Sequence, residues 1–224
     1  MIRSDANDHL VQALGANLTP VRRLAPPGLR LLMWLAILGA AALAIWMVSD
    51  VGVMIRRLSA APDTMRLAVT GCMLTAVLAA AAAFQLSLPD RRATWALLPL
   101  PAFLLWIGAS GMGCLRAWFS PGSYPMPPSQ TEHCLIFIVG VSLPLSLVLI
   151  IMLRRGFSLR PNLTAIIGGL ACASAAATLL NFIHPYDAAA TDLAVHSLAV
   201  VIVILANMIF GGRILMRKNG LTSR

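Results

Sequence analysis

The stretch LAVTGCMLTAVLAAAAAFQLSL, residues 67–88, decides the fold. It contains no Lys, Arg, Asp or Glu, and it matches the roughly 18 to 22 apolar residues that a helix needs to cross a hydrocarbon layer about 30 Å thick. Five further runs of the same kind lie on either side of it: Leu31 to Ser49, Thr94 to Gly113, Leu135 to Leu153, Leu163 to Ile183 and Leu193 to Gly212. None of these contains an ionisable Lys, Arg, Asp or Glu side chain. The only other architecture that spans a membrane is a closed barrel, whose short strands alternate apolar and polar residues. Continuous Ala, Leu and Val runs do not alternate. The expected fold class is therefore all-α, a polytopic membrane helical bundle of about six transmembrane helices.

Composition agrees. Of 224 residues, 59% are hydrophobic and 11% are charged, whereas a soluble domain is typically about 25% charged. A formal charge of +9 would suggest nucleic acid if the basic residues shared one patch. Here they sit between apolar runs, so no direct nucleic acid binding is expected and membrane lipid is the expected surroundings. The first run follows a segment with both acidic and basic groups and is too long for a signal-peptide core, so it reads as a retained span.

Arginine placement sets the orientation, because cytoplasmic loops carry an excess of Lys and Arg. One side receives Arg3, Arg22, Arg23 and Arg30, then Arg91 and Arg92, then Arg154, Arg155 and Arg160, then Arg213, Arg217, Lys218 and Arg224. The other receives Arg56, Arg57, Arg66 and Arg116. Both termini are thus expected on the cytoplasmic side. The organisation that follows is a cytoplasmic tail over residues 1–30, a six-helix domain over 31–212 and a second cytoplasmic tail over 213–224.

Lipid offers no hydrophobic drive for helices to associate, so small residues are expected at their contacts. Thr75, Ala79 and Ala83 form one such stripe, and Gly168, Cys172 and Ala176 another. Pro99, Pro101 and Pro144 fall within the runs and are expected to kink them. Cys72 and Cys172 lie well inside spans and read as small fillers.

Cys114 and Cys134 differ, since they stand at the outer ends of the third and fourth runs, joined by the Pro-, Gly- and Ser-rich segment Ser120 to Ser129. His133, His184, Asp187, Asp192 and His196 belong to the same outer layer. Thiolate and imidazole suit a transition metal such as zinc, copper or a cadmium-like ion, and a carboxylate can orient an imidazole ring. Asp192 and His196 are spaced to share one helix face. His133 and Cys134 are adjacent, about 100° apart on a regular helix, so both face one site only if the helix begins after them. The spacing matches no standard zinc signature. A Cys114 to Cys134 disulfide is the competing reading: it would close a loop of about 20 residues in an oxidising compartment and stabilise by roughly 3 kcal/mol. A redox-sensing dithiol is a third.

At the inner side there is no phosphate-cradling Gly loop, nucleophile elbow, HExxH or carboxylate pair within a run, so enzyme activity is not expected. The tail is more informative. Residues 5–18 can form a short amphipathic helix with Asp5 or Asn7 as N-cap and Leu10, Val11, Leu14 and Leu18 at helical spacing. Val21, Arg22 and Arg23 follow. This segment reads either as an interfacial helix on anionic lipid or as a docking helix for a soluble partner.

The order and spacing of several segments resemble the NrsF-type inner-membrane anti-sigma factors. They are His9-Leu10-Val11-Gln12-Ala13-Leu14 through Pro20-Val21-Arg22-Arg23-Leu24, then Leu86-Ser87-Leu88-Pro89, and Gly113-Cys114-Leu115-Arg116-Ala117-Trp118. Cys134, Ser142-Leu143-Pro144, Leu153-Arg154-Arg155-Gly156, His184-Pro185, Asp187 and His196 continue the pattern. The resemblance covers nearly the whole chain. It implies six spans, an extracytoplasmic-function sigma factor as partner of the tail, and sensing of metal or oxidative stress at the outer layer by Cys114 and Cys134, with His184 and His196 as helpers. Pro185 follows His184 where some relatives carry a cysteine, which leaves Cys114 or a histidine to complete the site. Two other classes use the same features: a small transporter of a metal or other solute, and a thiol-redox membrane protein.

Overall fold

The computed structural model describes residues 2–16, 24–48, 63–119, 128–183 and 193–221, together with the single residues 52, 55 and 59. Within these, the chain is helical, with no strand. A tail helix α1 (Ile2–Ala16) precedes α2 (Pro27–Val48), α3 (Asp63–Leu86), α4 (Leu100–Phe119), α5 (Pro128–Leu153), α6 (Pro161–Ile183), α7 (Leu193–Ala206) and α8 (Gly212–Leu221). A short 3-10 turn, Ala93–Leu97, leads into α4, and a wide π-type turn, Asn207–Gly211, joins α7 to α8 in one continuous span. Six helices among the described residues are long and apolar enough to cross a membrane. The six expected spans are there, and the chain is a membrane protein.

Small residues organise the bundle. The fifth span, α6, is the central helix, with 83% of its apolar stretch buried, because Gly168, Gly169, Ala171, Cys172, Ala173, Ala175, Ala176 and Ala177 let its neighbours approach closely. The expected stripes behave as packing surfaces: Thr75, Ala79, Ala83, Cys172 and Ala176 are all fully buried. Gly71 shows how tight the approach is, since a Cβ placed there would stand 2.7 Å from the Trp106 backbone nitrogen of α4. A Cβ on Gly169 would stand 3.0 Å from the Ile204 Cα of α7.

Three expectations need correction. Pro99 and Pro101 do not kink a helix: Pro99 lies in the turn before α4 and Pro101 is its second residue, where the missing N–H is one the first turn leaves unpaired anyway. Pro144 is inside α5 as expected. The tail helix begins at Ile2 rather than after Asp5 or Asn7, so both are interior residues and neither is an N-cap. The helices also outrun the charge-free stretches, so that Arg30 falls inside α2, Asp63 and Arg66 inside α3 and Arg213 inside α8. Main-chain hydrogen bonding continues past the apolar run, since an end at the interface can hold a charge that the middle cannot.

Contacts between span ends fix which loops share an end of the bundle. Arg30 at the start of α2 meets Ser87 just after α3 and the carbonyl of Met152 near the end of α5. Ser158 bonds to the Leu86 carbonyl at 3.1 Å. A Cβ on Gly212 would meet Asn162 Oδ1 at 2.5 Å, so the start of α6 and the start of α8 adjoin. Arg30, Arg91, Arg92, Arg154, Arg155, Arg160 and Arg213 therefore sit toward one end, the arginine-rich end. Cys134 belongs to the other.

Candidate functional site

Three regions carry the side chains with chemistry: the end opposite the arginines, the tail, and the arginine-rich end. At the opposite end Cys134 is fully buried, packed with Ile138, Ala176, Leu180 and Ala199 where α5, α6 and α7 meet. Helix α5 begins at Pro128, so His133 and Cys134 are both helical and adjacent, about 100° apart around the axis. That phase points Cys134 into the bundle. The side chains of Cys114 on α4, His133 on α5 and His196 on α7 lie outside the described residues, as do His184, Asp187 and Asp192 altogether. Among the described residues no three His, Cys, Asp or Glu side chains gather at metal-binding distance, and of the expected layer only Cys134 is represented there.

The two interior thiols are fillers with polar neighbours, Thr178 beside Cys72 and Ser146 beside Cys172. Cys72 is fully buried and its Sγ donates to the Ser174 carbonyl at 3.1 Å. Ser142 Oγ donates to the Cys172 carbonyl at 3.5 Å, and Cys172 is itself fully buried. Asn207, at the start of the π-type turn, donates from Nδ2 to Ser146 Oγ at 2.9 Å and also to the Val203 carbonyl at 2.9 Å. These contacts satisfy polar groups in a region where water cannot.

In the tail, α1 leaves Leu10, Val11 and Leu14 between 58% and 67% exposed. Leu18, Val21, Arg22 and Arg23 lie outside the described residues.

The arginine-rich end holds a polar knot that sequence reasoning passed over. Arg30 is only 3% exposed. Its Nη1 donates to Ser87 Oγ at 3.0 Å, its Nη2 donates to the Met152 carbonyl, and its guanidinium lies over the Phe84 ring, 4.9 Å from the centroid. Ser87 Oγ in turn donates to the Phe84 carbonyl at 2.7 Å. Gly156 closes over this pair, since a Cβ there would stand 2.5 Å from the Ser87 carbonyl oxygen. Beneath it Ser158 and Thr164 share a 2.8 Å hydroxyl contact, and both reach the Leu86 carbonyl. One signal in the sequence was available: Arg30 precedes Trp34 by four residues, and a cation and an indole on one helix face mark a contact surface rather than a loop.

A family model described as negative regulator of sigma F matches residues 14–216. The chain belongs to the NrsF family. It is a negative regulator of a sigma factor, and a sigma factor is its partner. The NrsF match opens inside the tail, so Leu14, Leu18, Val21, Arg22 and Arg23 fall within it, while Leu10 and Val11 precede it. It includes all six spans, the Arg30 knot and the whole cysteine- and histidine-bearing layer. No curated protein and no solved structure matches this NrsF chain.

Proposed function

We propose that this NrsF chain is an inner-membrane anti-sigma factor whose arginine-rich end and tail face the cytoplasm and hold an extracytoplasmic-function sigma factor. The observation that carries this reading is the family match over nearly the whole chain, joined to a tail helix that leaves three large apolar side chains uncovered. An exposed apolar stripe on a helix is the form in which a helix-in-groove partner is recognised. The excess of arginine at the same end of the bundle supports a cytoplasmic orientation.

The opposite end is the sensor in this proposal. Cys134 and Cys114 are its thiols, with His133, His184, Asp187 and His196 as further donors toward a thiol-seeking metal ion, or as neighbours of a pair that an oxidant joins. The complete burial of Cys134 adds a condition: a metal or oxidant reaches that sulfur only when α5, α6 and α7 part at that end. Signal binding and repacking are then one event. A signal that binds the parted state better shifts the bundle toward it and weakens the hold on the sigma factor. Moving the population from mostly holding to mostly released requires several kcal/mol of difference between the two states, a quantity that thiolate and imidazole coordination can supply.

Capture of soluble partners on membranes carrying the chain, with the tail intact or residues 1–24 removed, tests the first half. Recovery of a sigma factor only with the tail supports it. Repeating the capture with Cys114→Ser and Cys134→Ser tests the second half, because release by zinc, cadmium or an oxidant should need those thiols. Recovery of no sigma factor from the intact chain would overturn the assignment of the tail, and metal-driven flux into vesicles would then favour a transporter.

A further inference from the structure

The first span is attached to the bundle in an uneven way. Of its 22 residues only Arg30 and Trp34 are buried, and 6% of its apolar stretch is covered. Leu31, Leu35 and Leu38 add partial contacts with the main core over the same opening turns. Further along, Leu43, Trp46, Met47 and Val48 are exposed. The helix is therefore held at the end where the tail enters and is left uncovered by the described residues over most of the rest. Van der Waals contact with lipid is as good for a Leu as contact with another helix, so apolar packing alone gives this span little reason to prefer the bundle.

Arg30 supplies that reason. Its guanidinium reaches across two other spans at once, to the Ser87 hydroxyl after α3 and to the Met152 carbonyl of α5, with Phe84 under its plane. Among the described residues, the groups that hold it are neutral. The ion pairs among the described residues join Arg66 to Asp63 and Arg91 to Asp90 and do not involve it, and the charge that bears on it electrostatically is the like charge of Arg155. A buried cation without a carboxylate is held by geometry, because its hydrogen bonds lose their directionality as soon as the three helices shift. Trp34, one turn along the same face, is fully buried, and among the described residues its indole N–H has no hydrogen-bond acceptor. This contact therefore gains nothing polar to offset the loss of Arg30. Such an attachment closes firmly in one arrangement of α2, α3 and α5 and opens in another.

We propose that Arg30 is a positioning residue: its tie to Ser87 and Met152 fixes the tail-bearing span against the arginine-rich end, and tight restraint of the sigma factor requires that tie to be closed. The inference rests on the reading of the tail as the sigma-factor-binding segment. With the tie closed, the start of the first span, from which the tail leaves, is held beside the loops at Arg91 and Arg154, and a partner touching both tail and loops gains the effective-concentration advantage of two linked contacts. With it open, the tail still binds but alone.

The full-length chain in lipid nanodiscs tests this with Arg30→Gln and the milder Ser87→Ala. Spin labels placed by non-thiol chemistry at the exposed residues Leu29 and Leu159 report the separation of the first span from the loop before α6. The expected result is a narrow distance distribution for the wild type and a broadened one for both variants, together with sigma-factor affinity at least tenfold weaker, about 1.4 kcal/mol. Binding of an isolated peptide of residues 1–24, which lacks the substituted positions, sets the floor to which the variants should fall. Unchanged affinity in the variants, whether the distances broaden or stay narrow, would overturn the proposal. If Arg30→Gln fails to accumulate in membranes, Ser87→Ala decides alone, because it removes the hydroxyl's two hydrogen bonds, one to Arg30 and one to the Phe84 carbonyl of α3, and no charge. Failure of the wild-type chain to bind any sigma factor would overturn the reading of the tail as well, whereas failure of the variants to differ overturns only the role of Arg30.

Discussion

The fifth and first spans of this NrsF chain are of similar length and hydropathy, yet one is buried over 83% of its apolar stretch and the other over 6%. The difference lies in side-chain volume. Helix α6 runs Gly168-Gly169-Leu170-Ala171-Cys172-Ala173-Ser174-Ala175-Ala176-Ala177, whereas α2 runs through Leu29, Leu31, Leu32, Met33, Trp34, Leu35, Ile37 and Leu38. In water the larger set would be the core. In lipid, where burial of a Leu against a helix replaces an equally apolar surrounding, the helix that lets backbones approach becomes the centre. The rule learned from soluble proteins inverts here.

That comparison breaks most readily where a large side chain does fill a central site. Leu149 of α5 is fully buried, and its Cδ2 would lie 3.2 Å from a Cβ on Gly168. Leu149→Ala should cost about 3 kcal/mol, since the neighbours cannot fully collapse into the space, read as a loss of resistance to denaturing detergent. Leu32→Ala, at a 63% exposed position of α2, should cost less than about 0.5 kcal/mol.

Adding volume tests the same contrast from the other direction. Gly169→Val would push a side chain against the Ile204 backbone and Asn207, and backbone does not yield as a side-chain tip does. An overpacking cost of about 2 kcal/mol is expected, seen as lower membrane accumulation and an earlier thermal transition. A loss as small as that of a surface substitution would mean that α6 and α7 separate easily, and would move the parting of the opposite end from a costly event to a frequent one.

Much of this was legible in the sequence. The six spans follow from run length, and the buried stripes follow from Thr75, Ala79 and Ala83 and from Gly168, Cys172 and Ala176, because size and spacing are local properties. Arg30 was legible only as a charge beside a membrane, since hydropathy counts a guanidinium as a cost and cannot show that Ser87, Phe84 and Met152, far along the chain, converge on it. Pro99 and Pro101 misled for a related reason: the apolar run continues through them while the helix starts just beyond the first. Of the cysteine- and histidine-bearing layer, the sequence placed Cys134 at a span end, but the exposure of a thiol there depends on the phase of α5, which is fixed only once its start at Pro128 is known. The tail helix was legible in kind and misplaced at its start, as helix ends generally are when no strong cap is present.

Asn207 gives a smaller test of the central region. Its amide bonds to Ser146 across α5 and to Val203 within its own helix, and the π-type turn begins at this residue. Interhelical hydrogen bonds inside membranes contribute about 0.6 kcal/mol on average and up to about 1.7. Asn207→Leu should thus destabilise by about 1 kcal/mol, and Ser146→Ala in the same chain should add little further, because one contact is lost only once. Additive losses would show that the two side chains act separately.

The smallest effect is expected at Gly39, in the middle of the first span. A Cβ built there meets no atom within 4 Å, so Gly39→Leu extends into lipid and gains helix propensity without a steric cost. Stability in a monomer-rich, dilute detergent sample should change by less than about 0.5 kcal/mol in either direction, and sigma-factor binding should be unchanged, because the tie at Arg30 lies more than two turns away along α2. A marked loss of binding from Gly39→Leu in membranes, with stability in detergent intact, would mean that the exposed face of the first span is covered by a second protein chain in the bilayer. The 6% burial of that span would then measure the single chain rather than the assembly, and the contrast between the two spans would shrink.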